Sequence, residues 1–112
     1  MLDKTQEEKI RKGLLQFGLS YRETKTYLSI LQKPESTILT ISRDTGMSRG
    51  TVYDEVEKLK TKGYLVETKK GARRIITVEN PTNKLYSLLD EKHQSLEKTK
   101  NTVEDILPII KT

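Results

Sequence analysis

The sequence predicts a mainly α-helical chain: an α+β winged helix-turn-helix with a two-stranded wing, followed by a long C-terminal helix. Three observations support this fold class. Four short amphipathic stretches with helix caps fill residues 5–62, and two strand-like runs around a glycine turn follow at residues 64–78. A seven-residue apolar rhythm then extends from Leu85 to Ile110.

Length and composition restrict the class of protein further. At 112 residues one domain with an extension is expected, and Leu, Ile, Val and Phe together make up about 26% of the chain, above the roughly 20% typical of disordered sequences. The chain has no cysteine, which excludes disulfides, thiolate catalysis and zinc–cysteine sites. No apolar stretch approaches the roughly 18 residues of a membrane span, and the first six residues lack the apolar core of a signal peptide. We therefore expect a soluble, intracellular protein.

The first two helices are predicted from their caps. In Thr5-x-x-Glu8, a capping box, the hydroxyl and the carboxylate can each accept a hydrogen bond from a free N–H group of a first turn. The apolar residues that follow lie on one helix face: Ile10, Leu14 and Phe17. We expect Gly18 to end this helix. A second capping box, Ser20-x-x-Glu23, starts the next helix, and Lys33-Pro34 ends it because proline disfavours helical geometry for the residue before it.

A helix-turn-helix is predicted next. Thr37 caps a short third helix, Gly46 provides a left-handed exit, and Ser48 is the next N-cap candidate. The fourth helix extends from Arg49 to Lys62, and Gly63 ends it. Its core-facing stripe consists of Val52, Val56 and Leu59. The residues expected outside the core are Arg49, Gly50, Thr51, Asp54, Glu55 and Lys58.

A hairpin and a last helix complete the chain. Strand-like runs at residues 64–68 and 73–78 flank a turn at residues 69–72, where Gly71 supplies the positive φ that hairpin turns need. Asn80 caps the last helix and Pro81 takes its first helical position. Pro108 is expected to end or kink this helix near its final turn.

The last helix has a heptad repeat typical of a coiled coil. Its seam residues are spaced alternately by four and three: Leu85, Leu89, Lys92, Leu96, Thr99, Val103, Ile106 and Ile110. Lys92 and Thr99 weaken the seam. We expect residues 81–112 to form a coiled-coil dimerisation helix whose contacts are Leu85, Leu89, Leu96, Val103 and Ile106. The alternative is that the helix folds back on its own domain.

Positive charge is concentrated in one part of the chain. The formal net charge is +5, but residues 58–74 alone hold seven basic side chains against Glu67, a net +6 that leaves −1 for the rest. A basic block of this kind indicates a polyanionic partner. A solvated, lysine-rich surface is the alternative.

The position of this block indicates double-stranded DNA as the partner. In helix-turn-helix units the second helix lies in the major groove, where Arg49 could read guanine or clamp a phosphate. Gly50 either permits close backbone approach or is merely tolerated in the first turn, and Ser48 either caps the helix alone or also contacts phosphate. We predict a DNA-binding domain over residues 1–80. Its candidate contact residues are Thr37, Ser48, Arg49, Gly50, Thr51, Tyr53, Lys58, Lys69, Lys70, Arg73 and Arg74.

Four motifs resemble the N-terminal domain of TrmB-type transcriptional regulators: Phe17-Gly18-Leu19-Ser20, Glu23-x-Lys25-x-Tyr27-Leu28, residues 45–54 (TGMSRGTVYD) and Lys62-Gly63-Tyr64-Leu65. The resemblance covers about residues 8–90 and implies a dimeric DNA-binding winged helix with a coiled-coil helix after the wing. It also implies that Ser48, Arg49, Thr51 and Tyr53 lie on the DNA side. Leu39 and Thr40 depart from the polar start usual for the third helix. Longer members contain a C-terminal sugar-binding domain; because this sequence ends at Thr112, we expect a short form without it.

Catalysis is not predicted. The paired carboxylates Asp90-Glu91 and Glu104-Asp105 are neighbours on a helix and therefore point to different faces. His93 has no spaced ligand partners, so neither a metal nor a cofactor is expected. We predict a homodimeric, sequence-specific transcriptional regulator in the cytoplasm, associated with the nucleoid. The alternatives are a sequence-tolerant architectural protein that coats DNA, and a coiled-coil protein-interaction module on a winged-helix scaffold.

Overall fold

A computed structural model describes all residues, 1–112, and divides into two compact units, Met1–Pro81 and Thr82–Thr112. Five helices and one two-stranded sheet make up the chain. Their bounds are α1 Lys4–Gln16, α2 Tyr21–Gln32, α3 Ile38–Thr45, α4 Arg49–Thr61, β1 Leu65–Lys70, β2 Arg73–Val78 and α5 Pro81–Ile110. This order confirms the predicted fold class.

The start of α1 differs from the prediction. Asp3 is the N-cap: its carboxylate accepts from the backbone N–H of Gln6 at 2.8 Å, and Gln6 Oε1 accepts from the Asp3 N–H at 3.0 Å. The capping box predicted at Thr5 and Glu8 is therefore wrong, by two residues. Asp3 and Gln6, three residues apart, satisfy the free N–H groups at the true start of the helix. Glu8 instead pairs with Arg11.

The capping box of α2 is confirmed and has a further role. Ser20 Oγ accepts from the Glu23 N–H at 3.1 Å, and Glu23 Oε1 accepts from the Ser20 N–H at 2.8 Å. The second oxygen of the buried Glu23 lies 2.7 Å from Lys62 Nζ, just after α4. Burial raises the pKa of Glu23, but the Lys62 ammonium and the Ser20 hydrogen bonds outweigh it and hold this pKa below its usual value. One carboxylate thus caps α2 and ties it to the end of α4.

The turn between α3 and α4 is fixed by local hydrogen bonds. Thr37 caps α3, Gly46 adopts φ 77° in the left-handed region, and Ser48 caps α4, all as predicted. Ser42 Oγ donates to the carbonyl of Met47 at 2.6 Å and so holds the turn from inside. The angle at which α4 leaves α3 is therefore determined by short-range contacts.

The core of the first unit lies between the helices and the sheet. Tyr27 and Tyr64 meet edge to face with ring centroids 6.0 Å apart. The buried apolar side chains are Leu14, Leu19, Tyr27, Leu28, Ile30, Ile41, Val52, Val56, Leu59, Tyr64, Leu65, Ile75 and Ile76. They include the whole predicted stripe of α4. Glu55 also faces inward and is 3% exposed, so its prediction as an outward residue is wrong. Its place three residues after Val52 puts it on the buried side of the helix.

The hairpin is longer than predicted. The antiparallel register extends from Leu65↔Val78 to Lys70↔Arg73, and Gly71 (φ 62°) and Ala72 alone form the turn. Lys69 and Lys70, predicted as turn residues, therefore belong to β1. They still lie at the wing tip, in the last two pairs of the ladder.

An extended segment before α3 pairs with the sheet, a contact that the sequence did not predict. Ser36 and Ile76 exchange two backbone hydrogen bonds, at 3.2 and 2.7 Å. The residue before it, Glu35, adopts φ 61° and forms an ion pair with Lys70 across the sheet. These contacts join the wing to the segment that leads into α3.

The second unit consists of most of α5. This helix has 30 residues, about 45 Å at ~1.5 Å per residue, and begins at Pro81 as predicted. It continues through Pro108 and ends at Ile110, within the final turn. None of its side chains is buried, and the predicted contacts Leu85, Leu89, Leu96, Val103 and Ile106 are 43–67% exposed. Neither α5 nor any other helix combines the length and apolarity that a membrane span requires.

Candidate nucleic-acid interface

The first turn of α4 presents hydrogen-bond donors of different availability. Ser48 Oγ accepts from the Thr51 N–H at 3.2 Å and donates to Thr51 Oγ1 at 2.9 Å. The Ser48 hydroxyl is therefore engaged by the cap, as the capping interpretation predicted. Thr51 Oγ1 accepts this bond and keeps its own proton for an outside acceptor. The hydroxyl of Thr51, half-buried beside the cap, is the better placed of the two to donate to DNA.

Arg49 and Gly50 are exposed at the same turn. The Arg49 guanidinium forms no ion pair within the chain, so its five N–H donors are available to a ligand. A Cβ atom added at Gly50 would meet no atom within 4 Å. Packing inside the protein therefore does not require glycine here, although glycine disfavours a helix.

Further along α4 the outward face is mixed. Tyr53 is 46% exposed, and Asp54 and Lys58 are exposed as well. Lys58 Nζ lies 3.4 Å from Glu55 Oε1, so this exposed cation is paired with a carboxylate three residues earlier on its own helix. The other oxygen of Glu55 is buried and has no hydrogen-bond partner. Positive charge on α4 is thus strongest at its first turn, where Arg49 is not matched by a carboxylate.

The wing tip combines paired and unpaired cations. Lys70 pairs with Glu35, and Arg74 pairs with Glu67. Lys69 and Arg73, which lie opposite Arg74 and Lys70 in the ladder, are exposed and form no ion pair within the chain. The tip therefore keeps two cations that form no ion pair, although Arg73 lies near Glu35, whose pKa is lowered first by the hydrogen bond from Lys70 and also by the Arg73 guanidinium.

A charge network joins α4 to the wing. Glu67 on β1 accepts from Lys60 at 3.2 Å and from Arg74 at 2.7 Å, and Lys60 also lies 3.5 Å from Glu57. Burial raises the pKa of Glu67, but these two cations outweigh it and hold this pKa below its usual value. The hydrogen bond to Glu67 raises the pKa of the Arg74 guanidinium, and nearby Tyr53 acts in the same direction. Tyr53 on α4 is therefore close enough to Arg74 on the wing to interact with it electrostatically.

Only part of the basic block is available to a partner. Of its seven cations, five are engaged by carboxylates of the chain: Lys58, Lys60, Lys62, Lys70 and Arg74. The sequence does not reveal the pairing of Lys62 and Lys70, because their partners Glu23 and Glu35 are distant along the chain. With Arg49 at the start of α4, the cations of α4 and the wing that form no ion pair are Arg49, Lys69 and Arg73.

Thr37, another candidate DNA contact, acts as the N-cap of α3. Its hydroxyl accepts from the Thr40 N–H at 3.2 Å as the cap of α3, and its side chain is half-buried. Among the candidate DNA contacts, the structure thus brings the first turn of α4 and the wing tip to the surface as donors, while Ser48 and Thr37 are engaged as caps. No group of three or more His, Cys, Asp or Glu side chains is arranged to hold a metal ion.

A helix-turn-helix with an exposed second helix, followed by a two-stranded antiparallel wing, defines the class: a winged-helix protein of the kind found in transcriptional regulators. Residues 14–91 match the family of sugar-specific transcriptional regulators, TrmB. The chain belongs to this TrmB family, whose members are transcriptional regulators rather than enzymes.

Known proteins resemble the chain over most of its length. It is 26% identical over 100 residues to TrmBL1 of Pyrococcus furiosus, an HTH-type sugar sensing transcriptional regulator, covering 89% of this chain but 29% of that protein. The structure of TrmBL2, an archaeal chromatin protein, matches with a TM-score of 0.71 at 16% identity, over 94% of this chain and 45% of that one. Tm0710, a transcriptional regulator from Thermotoga maritima, matches with a TM-score of 0.59 at 19% identity, over 94% and 81%. The chain thus spans less than half the length of both TrmB-like relatives.

Proposed function

We propose that this protein is a homodimeric, sequence-specific double-stranded DNA-binding transcriptional regulator that acts on the nucleoid in the cytoplasm. One observation carries the proposal: the unpaired cations Arg49, Lys69 and Arg73 lie at the two places where a winged helix meets a duplex. Residues 1–80 form the DNA-binding domain, and residues 81–112 form the dimerisation helix.

Base reading is assigned to the first turn of α4. A guanidinium can bind guanine O6 and N7 together, and a threonine hydroxyl can bind either groove edge, so Arg49 and Thr51 supply direct readout. The bare backbone at Gly50 lets the helix approach the groove floor. Tyr53, half-exposed and close to the wing, contacts phosphate through its hydroxyl.

Phosphate neutralisation is assigned to the wing. Lys69 and Arg73 bind the backbone or the minor groove without having to leave an internal partner. Lys70 and Arg74 contribute after exchanging carboxylates for phosphates, and such exposed ion pairs stabilise a protein by only ~0–1 kcal/mol. Lys58 contributes in the same way.

The dimer is assigned to the exposed seam of α5. Apolar side chains at alternating spacings of four and three leave one stripe facing solvent in a single copy, and pairing two copies buries it. The contacts are Leu85, Leu89, Leu96, Val103 and Ile106. Two DNA-binding units in one particle give a palindromic site an advantage over a single half-site.

A second function has an observation in its favour. The structure of TrmBL2, an archaeal chromatin protein, matches 94% of this chain. A sequence-tolerant protein that coats DNA would use the same residues but would bind any duplex with similar affinity.

Selection of bound duplexes from a random pool separates these functions. A regulator enriches a palindromic motif with half-sites ~10 bp apart or a multiple of that spacing. A coating protein binds without enriching any motif. A coiled-coil interaction module on a winged-helix scaffold, the remaining alternative, binds little duplex at ~150 mM salt, where phosphate contacts are already weakened.

A further inference from the structure

The heptad positions of α5 contain information about how two copies align. The spacings of four and three assign the seam residues alternately to d and a positions of the heptad. The d positions are Leu85, Lys92, Thr99 and Ile106, and the a positions are Leu89, Leu96, Val103 and Ile110. Every a residue is apolar, and both polar seam residues are at d. The seam is therefore asymmetric between its two kinds of position.

We propose that α5 pairs with α5 of a second copy in antiparallel orientation, in the register that places Lys92 opposite the partner's Val103. This inference rests on the proposed homodimer and specifies its geometry. In this register every a residue meets a d residue. The remaining layers pair Leu85 with the partner's Ile110, Leu89 with the partner's Ile106, and Leu96 with the partner's Thr99.

The charge of Lys92 disfavours the parallel alternative. A parallel homodimer places each d residue opposite its own copy, so two Lys92 ammonium groups would share one layer of the seam. Like charges at such close range repel, and the apolar surroundings of a seam strengthen the repulsion. In the antiparallel register the two Lys92 side chains lie in different layers, each facing a valine.

The flanking positions favour the same orientation. The e positions are Tyr86, His93, Lys100 and Leu107, and the g positions are Leu88, Ser95, Thr102 and Ile109. None is acidic, so the e–g′ ion pairs that stabilise parallel coiled coils cannot form.

Antiparallel pairing matches three of its four flank contacts by chemistry. It sets Tyr86 beside the partner's Leu107, Leu88 beside the partner's Ile109, and Ser95 beside the partner's Thr102. The fourth contact sets the basic side chain His93 beside the partner's Lys100. Parallel pairing instead sets Leu88 beside the partner's His93 and Thr102 beside the partner's Leu107, apolar against polar in both cases. The second copy is therefore the occupant whose surface complements α5, in reversed direction.

Cysteine cross-linking tests the orientation directly, since the native chain has no cysteine. Leu89→Cys and Ile106→Cys are prepared separately, oxidised alone and as a mixture, and resolved on a non-reducing gel. In the antiparallel register position 89 of one copy lies ~25 Å along the axis from position 89 of the other, far beyond the ~7 Å Cα separation that a disulfide spans. Only the mixture should then form a covalent dimer.

The other outcomes overturn the inference in distinguishable ways. Cross-linking of each single variant alone shows parallel pairing, which refutes the orientation but leaves the homodimer and its DNA binding intact. A dimer mass by light scattering with no cross-link in any sample refutes the register. A monomer mass for the unmodified chain refutes the homodimer itself, and with it this inference.

A charge-exchange experiment supplies a second test that does not alter the apolar seam. Affinity-tagged Lys92→Glu chain is mixed with untagged unmodified chain, and the untagged fraction retained is compared with that of a tagged unmodified control. Antiparallel pairing predicts equal retention, because position 92 does not meet itself. Increased retention with the glutamate variant would reveal a contact between Lys92 and the introduced glutamate, and therefore parallel pairing.

Discussion

At the scale of single residues, Gly50 most clearly separates the needs of DNA binding from those of folding. It lies in the first turn of α4, it is exposed, and no atom of the protein occupies the place of its missing side chain. A helical glycine costs up to ~1 kcal/mol relative to alanine. Nothing inside the chain offsets that cost, which is why we assign the benefit of Gly50 to close approach of DNA.

Gly50→Ala should therefore stabilise the protein by up to ~1 kcal/mol while weakening its binding to DNA. Thermal melts and fluorescence anisotropy with a labelled duplex measure the two effects. Gly13→Ala is the matched control: Gly13 lies in α1, also has open space around it, and should raise stability without changing affinity. Equal affinities for the Gly50 variant and the unmodified protein would show that glycine is merely tolerated.

Arg49 is the other residue whose role is separable. Arg49→Ala should weaken binding to a preferred site by roughly 5- to 150-fold, the equivalent of ~1–3 kcal/mol for one bidentate base contact. It should also reduce the discrimination between preferred and scrambled duplexes. Arg22→Ala is the control. Arg22 lies next to Glu23 on α2, and Glu23 contacts Lys62, at the end of α4 opposite to Arg49. Arg22 is therefore remote from the first turn of α4. Retained discrimination in the Arg49 variant would place sequence reading on another residue.

At the scale of elements, the wing is held in position by carboxylates that also reduce its charge. Glu35 and Glu67 engage Lys70 and Arg74, while Lys69 and Arg73 stay unpaired on the same two strands. This arrangement orients the wing relative to α4 and leaves a smaller electrostatic footprint than the +6 of the basic block suggests.

Removing the two unpaired wing cations should thus affect salt dependence. Lys69→Gln with Arg73→Gln should lower the slope of log affinity against log salt by about 2, since each phosphate contact contributes ~0.9. The loss of affinity should be similar for all duplexes. Arg11→Gln with Glu8→Gln is the control, because it removes a cation together with its carboxylate partner on α1, outside the wing and α4. An unchanged slope in the Lys69 and Arg73 variant would remove the wing from the interface.

The same carboxylates predict how stability depends on pH. The pKa of Glu67 and that of Glu23 are lowered in the folded protein from an ordinary value of 4.5, so they contribute stability above pH ~4.5. That contribution should be lost as the pH falls through the lower, folded-state pKa values. Urea unfolding between pH 7 and pH 3 measures it, and Glu67→Gln should reduce the pH dependence relative to Asp54→Asn, which alters an exposed carboxylate. Parallel pH profiles for the two variants would contradict the role of Glu67.

Local sequence patterns predicted most of the helices, caps and turns. The contacts that they did not predict join residues that are distant along the chain. The caps at Ser20, Thr37 and Ser48 and the turn at Gly71 were found because cap and turn chemistry is confined to a few adjacent residues. Glu23 was found as a cap, but its second contact, with Lys62, involves residues 39 apart and has no local pattern.

The same limit applies to the candidate site. The pairing of Ser36 with β2 was missed because a single bridge has no periodicity. Glu55 was assigned to the outer face on residue type, although helical geometry places it beside Val52. The basic block is evident in the sequence, yet the pairing of Lys62 and Lys70 is not, because their carboxylate partners Glu23 and Glu35 come close only after folding.

At the scale of the whole molecule, the proposal joins two units with different tasks: a winged helix that contacts DNA and a helix that pairs copies. Neither unit alone explains a palindromic site, since one winged helix reads one half-site. Light scattering on Leu89→Asp with Ile106→Asp should give a monomer mass, because charges at two seam layers oppose pairing. Ser87→Asp with Gln94→Asp, on the outer face of α5, is the control and should leave the dimer intact.

In the proposed function, this dimer reads sequence through the first turn of α4. Its most direct test is the ratio of affinities for a duplex selected from a random pool and for a scrambled duplex of the same composition, both measured at ~150 mM salt. We expect a ratio of at least ~10³, the lower end of the range for specific regulators. Equal and substantial affinities for the two duplexes would contradict it in favour of a coating protein.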